Sequence, residues 1–162
     1  MLRTGALVLT LLSVDAAAHA ADCPPSQQTL FACSTGAKAI SVCSSPDLTA
    51  TTGALQYRLR GRSTLELIYP PAGADFRAVT RAGTLMFSGG GGAFLAFSRA
   101  PYRYVVYSAV GRGWGSKAGV VVEKSGKKIA SLACKGEARS ELGPDLFSKA
   151  GIATADDGFE LP

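Results

Sequence analysis

Leu55, Tyr57 and Leu59 alternate with Gln56, Arg58 and Arg60. A period of two with opposite chemistry on its two faces is the pattern of a strand buried on one side. After a turn at Gly61-Arg62-Ser63 the pattern repeats. Leu65, Leu67 and Tyr69 point one way, Thr64 and Glu66 the other, and Pro70-Pro71 ends the strand because proline cannot continue the ladder. The pairing predicts Glu66 across from Arg58 or Arg60, a surface contact worth little.

Shorter alternations recur along the chain. Gln27 to Cys33 and Lys38 to Cys43 read as a hairpin around the turn Ser34-Thr35-Gly36-Ala37. Ala39, Ser41 and Cys43 share one face there, with Ile40 and Val42 on the other. Ser44 to Thr52 is rich in turn residues and reads as a loop. Ala72 to Ala82 is too poorly patterned for a helix and is expected to be loop, with a strand near Phe76 to Thr80. Thr84 to Phe87 is a short strand before the run Gly89 to Gly92. Phe94 to Phe97 and Tyr102 to Ser108 form a hairpin through Arg99-Ala100-Pro101. Tyr102, Tyr104 and Val106 line one face of it, and Arg103, Val105 and Tyr107 the other. Val120 to Glu123 and Lys128 to Ala133 make the last hairpin, turning at Ser125-Gly126-Lys127. The expected fold class is all-β: a small antiparallel meander forming a barrel or a sandwich. Beyond Cys134 the pattern changes. Pro144 to Lys149 predicts a short helical turn with Gly151 as its stop, and Ala153 to Pro162 is acidic and expected to fray.

The N-terminus changes the picture of where this domain works. Met1-Leu2-Arg3, the apolar run Gly5 to Val14 and the A-x-A site Ala18-His19-Ala20 read as a secretory signal peptide, cut after Ala20 or Ala21. The apolar run is about half of the ~20 residues a membrane span needs. Asp22 directly before Cys23 is wrong for lipid-anchor processing. The organisation expected is a leader over 1–20, a β domain over 21–134 and a C-terminal extension over 135–162.

Cys23, Cys33, Cys43 and Cys134 all follow the leader, an even number in an oxidising compartment, which predicts two disulfides. A zinc site would need close pairs such as C-x-x-C, and none occurs. In a closed meander with an even strand count the last strand ends beside the start of the first. That favours Cys23 with Cys134 and Cys33 with Cys43, and leaves Cys33 with Cys134 as the open alternative.

The net charge is +5, and Arg3 and Asp15 cancel on removal of the leader. A basic exported domain is biased toward anionic partners, either an acidic protein or an anionic envelope polymer. Export and the scatter of the basic residues argue against nucleic acid. The one histidine, His19, lies in the leader, which removes Ser-His-Asp and Cys-His catalysis from the mature chain. Asp47, Glu66, Asp75 and Glu123 show no spacing that pairs two carboxylates for hydrolysis. The glycine run lacks the G-K-[ST] ending of a phosphate loop and reads as a flexible or bulged connection. No cofactor and no metal are expected.

Gly111 to Gly119 holds the only tryptophan, Trp114, flanked by Arg112 and Lys117. An exposed indole beside cations is a recognition anchor by stacking and cation–π contact; the plainer alternative folds Trp114 back as a cap on the open end of the fold. Tyr102, Tyr104 and Tyr107 alternate, and the favoured reading is aromatic cross-strand packing; Tyr107, with Arg103 on its face, is the candidate for exposure near the same loop.

The segments G-x-K-x-I-S-V-C, L-Q-Y-R, S-G-G-G-G, P-Y-R-Y-V-V-Y-S, A-G-V-V-V-E-K and A-x-L-A-C resemble a family of small exported proteobacterial proteins without an assigned activity. The resemblance covers about Cys23 to Cys134. The size and plan are also distantly similar to periplasmic lysozyme-inhibitor β-barrels, without an inhibitor motif that matches. The expected function is a non-catalytic exported binding or envelope-associated protein. The alternatives are an inhibitor of a lysozyme-like or other hydrolase and, last, a carboxylate-based hydrolase.

Overall fold

The computed structural model describes residues 23–162; the leader and its cleavage site lie outside the described residues. The alternating segments become β1 (Gln28–Ser34), β2 (Ala39–Ser44), β3 (Leu55–Arg60) and β4 (Leu65–Tyr69), then β5 (Thr80–Phe87), β6 (Gly90–Arg99), β7 (Tyr102–Gly111), β8 (Gly115–Lys124) and β9 (Lys127–Ala133). A two-residue β10 (Arg139–Ser140) and the helix α1 (Pro144–Lys149) follow. The strands form two antiparallel sheets, ordered β10-β1-β2-β3-β4 and β5-β6-β7-β8-β9. Among the described residues no strand joins one sheet to the other, so the meander is stacked as a sandwich rather than closed as a barrel.

The core is made by the inward faces that the alternation marks. Phe31, Ile40, Val42, Leu55 and Tyr57 come from the first sheet, and Leu95, Phe97, Val106 and Val120 from the second, all buried. Tyr57 joins the layers, its ring 5.3 Å from Tyr104 and 5.8 Å from Phe97. Phe147 and Ala150, on and just after α1, pack into the same core.

Phe76–Ala78 is a 3₁₀ turn and not a strand, because Asp75 caps it by accepting the Arg77 N–H at 3.1 Å. The strand expected at Thr84 starts instead at Thr80. Gly89 alone of the glycine run is a turn residue, with φ +80°; Gly90, Gly91 and Gly92 lie inside β6. Glu66 pairs with Lys38 and not with Arg58 or Arg60, since the bare Gly61 lets its carboxylate swing across toward β2.

The bridges are Cys23–Cys43 and Cys33–Cys134, not the favoured Cys23–Cys134 and Cys33–Cys43. The register explains the difference. Cys33 lies opposite Ile40, three residues out of step with Cys43, about 10 Å along the strand and beyond disulfide reach. Cys33 belongs to the core face, toward the other sheet, where Cys134 follows β9. Both bridges are of the kind that persists in an oxidising compartment, and no helix among the described residues is long and apolar enough to cross a membrane.

The acidic tail does not fray. Ala155, Phe159 and Leu161 pack on the outer face of the second sheet against Leu85, Phe94, Val105, Tyr107 and Val121. Val105 and Tyr107 make that face apolar too, so the second sheet is covered on both sides.

Candidate functional site

The second sheet has strands of ten residues, the first none longer than seven, so one end of the second sheet overhangs. Met86, Gly91, Val110 and Ser116 stand in one row across β5 to β8 on its core-facing side. With no opposing layer, Met86 is 89% and Val110 60% exposed.

Beside this overhang the edge of β8 is open. The β8–β9 register stops at Gly119, and Cys134 N–H donates to Ala118 C=O at 2.8 Å. The chain then leaves for the first sheet, where Lys135 N–H donates to Ser34 C=O at 2.7 Å. In an antiparallel sheet the N–H and C=O of one residue face the same neighbour, and residues two apart share that side. Ala118 faces β9, so Ser116 turns its backbone groups to the place that β9 has vacated.

A cavity of about 600 Å³ occupies that place. Val110, Ser116 and Ala118 form its β8 side, Gly136 to Ser140 the crossing segment opposite, and Tyr107, Ser131 and Lys117 its outer rim. The slot presents a free strand edge and apolar side-chain space at Val110, with Lys117 on its rim and Glu137 on the crossing segment. That combination suits an extended polypeptide, whose backbone would pair with Ser116.

Of the residues singled out from the sequence, Trp114 and Lys117 come together, the ammonium 5.6 Å from the indole ring. Trp114 does not cap the sandwich. It folds onto its own sheet, over Gly111 and edge-on to Phe87 at 5.8 Å, and stays 40% exposed. Phe87, Gly90, Gly111 and Gly115 form one row, so the glycines provide the floor for the indole. A Cβ on Gly111 would sit 2.1 Å from the ring. Gly111→Ala is therefore expected to lift Trp114 and shift its fluorescence to the red, with the unfolding midpoint changed little; an unshifted spectrum contradicts the packing. Arg112 lies at the loop tip, its N–H donating to Gly89 C=O at 3.0 Å.

Tyr107 and Arg103 do not join the loop surface. Tyr107 is only 2% exposed, under Phe159, and its burial raises the hydroxyl pKa against a smaller opposing effect of a hydrogen bond with Ser131. Arg103 lies four residues further along β7, about 13 Å away, paired with Glu123 at 3.0 Å. Among the carboxylates considered from sequence, Glu66, Asp75 and Glu123 each face a different cation, Lys38, Arg77 and Arg103. Sequence reasoning missed Val110, Ser116 and Glu137. Gly136 to Ser140 lies past the boundary drawn at Cys134, and only the path of the chain after the Cys33–Cys134 bridge brings it to β8.

No protein-family model, no curated protein and no solved structure matches this chain.

Proposed function

We propose that this is a non-catalytic exported binding protein that takes an extended segment of a partner into the slot beside β8. The observation that carries the reading is the cavity of about 600 Å³ along the unpaired stretch of β8. The leader sequence, the two bridges and the resemblance to small exported proteobacterial proteins support a periplasmic or secreted location. The net charge of +5 favours an acidic protein over a neutral one, and Lys117 on the rim supplies a cation, 5.6 Å from the Trp114 ring. The mature chain holds no histidine, and the four cysteines are bridged, which supports binding over catalysis.

A photo-crosslinking residue at Val110, in the exporting cell, is expected to capture a defined adduct. The same residue at Ile129, a comparably exposed position on β9 (55% against 60%), is expected to capture none. Ser116→Pro should abolish the adduct, because proline removes the N–H that faces the slot. It should cost less than about 1 kcal/mol of stability, because proline is tolerated on strand edges. Equal adducts at both positions, or adducts that survive Ser116→Pro in a folded protein, count against the slot.

A further inference from the structure

The outer face of the second sheet is a second surface, which meets the slot only at its rim, at Tyr107, Lys117 and Pro162. Leu85, Phe94, Val105, Tyr107 and Val121 form an apolar cluster there, buried under the strap Ala155–Pro162. The strap holds on by few points. Phe159 seats 5.3 Å from Phe94 and 5.6 Å from Tyr107, and Leu161 joins it. Its polar attachments among the described residues are at its ends: Ala155 N–H donates to Ala82 C=O at 2.8 Å, and Lys117 Nζ donates to Pro162 C=O at 2.8 Å. Between them Asp156, Asp157, Gly158 and Glu160 are exposed, and the strap forms no strand.

The strap also leaves space around itself. A cavity of about 290 Å³ opens between Phe159, Glu160, Val121 and Lys128, and Pro162 reaches the rim of the larger cavity beside β8. Phe159 and Leu161, two residues apart, make an occupant held by two side chains rather than by a ladder, with the exposed acids Asp156, Asp157 and Glu160 beside them.

We infer that this face is a docking groove for an extended peptide carrying an aromatic–acidic–aliphatic triplet, and that Phe159-Glu160-Leu161 is its built-in stand-in. The aromatic ring fills the space between Phe94 and Tyr107, the acid lines the same cavity as Lys128, and the aliphatic residue lies beside it. Charge argues for the acid: the chain is basic at +5, Lys117 and Lys128 flank the groove, and the one carboxylate the sheet places in the cavity, Glu123, is already paired with Arg103. A tethered strap competes at an effective concentration on the order of millimolar, so an outside segment gains the face chiefly when the strap is displaced. This inference does not rest on the slot beside β8.

The test uses a fluorescein-labelled peptide of residues 155–162 and the chain truncated after Ala155, with fluorescence polarisation as readout. Saturable binding to the truncated chain is expected, at least tenfold weaker binding to the full chain, and at least a tenfold loss for the peptide with Phe159→Ala. Ser116→Pro should leave this binding unchanged, which separates the groove from the slot. Equal binding of the Phe159→Ala peptide overturns the inference, and so does no saturable binding to a truncated chain that keeps its fold. A truncated chain that fails to fold also overturns it, since a displaceable strap leaves a folded scaffold. Hydrogen exchange on the intact protein gives an independent reading. Amides of Asp156 to Leu161 are expected to exchange at least about 100-fold faster than those of β6 and β7, as a locally opening segment does; protection equal to the sheet's overturns displaceability. A dimer of the full chain in sedimentation, formed by exchanged straps, would replace the outside peptide with a second copy and overturn that assignment.

Discussion

Replacing Cys33 and Cys134 together by alanine is expected to cost about 4–5 kcal/mol, and replacing Cys23 and Cys43 about 3 kcal/mol, in urea unfolding of the otherwise intact chain. The difference follows from loop length. The first bridge closes a sequence separation of 101 residues and the second one of 20, and the chain entropy removed from the unfolded state grows with the logarithm of the loop. Cys33–Cys134 has a second consequence in the folded state. It pins the point where the chain leaves β9 for the first sheet, and that departure opens the edge of β8 and supplies the far wall of the cavity. The variant lacking it should therefore lose crosslinking at Val110 even at temperatures where it remains folded, whereas the variant lacking Cys23–Cys43 should retain it. Equal stability losses for the two variants would show that loop entropy does not govern these bridges.

The same crossing shows what was legible in the sequence and what was not. Alternation at Leu55 to Arg60 and at Tyr102 to Ser108 marks strands and inward faces correctly, because a period of two is a local property. Tyr57, Tyr104 and Val106 all reach the core as that pattern requires. Alternation cannot distinguish a closed sheet from two stacked ones, and the disulfide pairing rested on that choice. With the sheet open, Cys134 meets Cys33 across the sandwich instead of Cys23 around a barrel. Glycine misled in a different way. The run Gly89 to Gly92 reads as a break, yet three of its members lie within β6, where neighbouring backbone leaves no room for a side chain. A Cβ on Gly92 would sit 2.4 Å from Ser108 O. Packing is the favoured reading of Tyr107 and it holds, but its cover, Phe159, lies in a tail whose acidic composition suggests fraying. Two apolar residues at alternate positions suffice to dock it once an apolar sheet face is present.

Tyr57→Ala is expected to destabilise the protein by about 3–5 kcal/mol, the range for truncating a buried aromatic side chain, whereas Tyr57→Phe should be neutral or stabilise it by about 1 kcal/mol. The ring is fully buried, stacked on Tyr104 and tilted against Phe97, so its removal opens a void where the two sheets meet. The hydroxyl is different: it is buried with no protein partner among the described residues, and an unsatisfied buried polar group is a cost that phenylalanine removes. The two substitutions thus separate packing from polarity at one atom. They also carry a pH signature. Burial raises the Tyr57 hydroxyl above its ordinary pKa of 10.0, helped by Tyr104 and Glu66 nearby. A raised folded-state pKa means that the folded protein holds this proton more tightly than the unfolded chain. The stability it contributes is complete below pH 10 and is lost as pH climbs above 10 toward the folded-state value, at up to about 1.4 kcal/mol per pH unit. Tyr57→Phe should remove that share of the alkaline loss, leaving the part due to Tyr107, whose hydroxyl is also raised by burial. Tyr57→Phe with Tyr107→Phe should flatten the curve further. Parallel alkaline denaturation curves for the wild type and Tyr57→Phe would mean that the Tyr57 hydroxyl is solvated, and that the seam between the sheets is open to water.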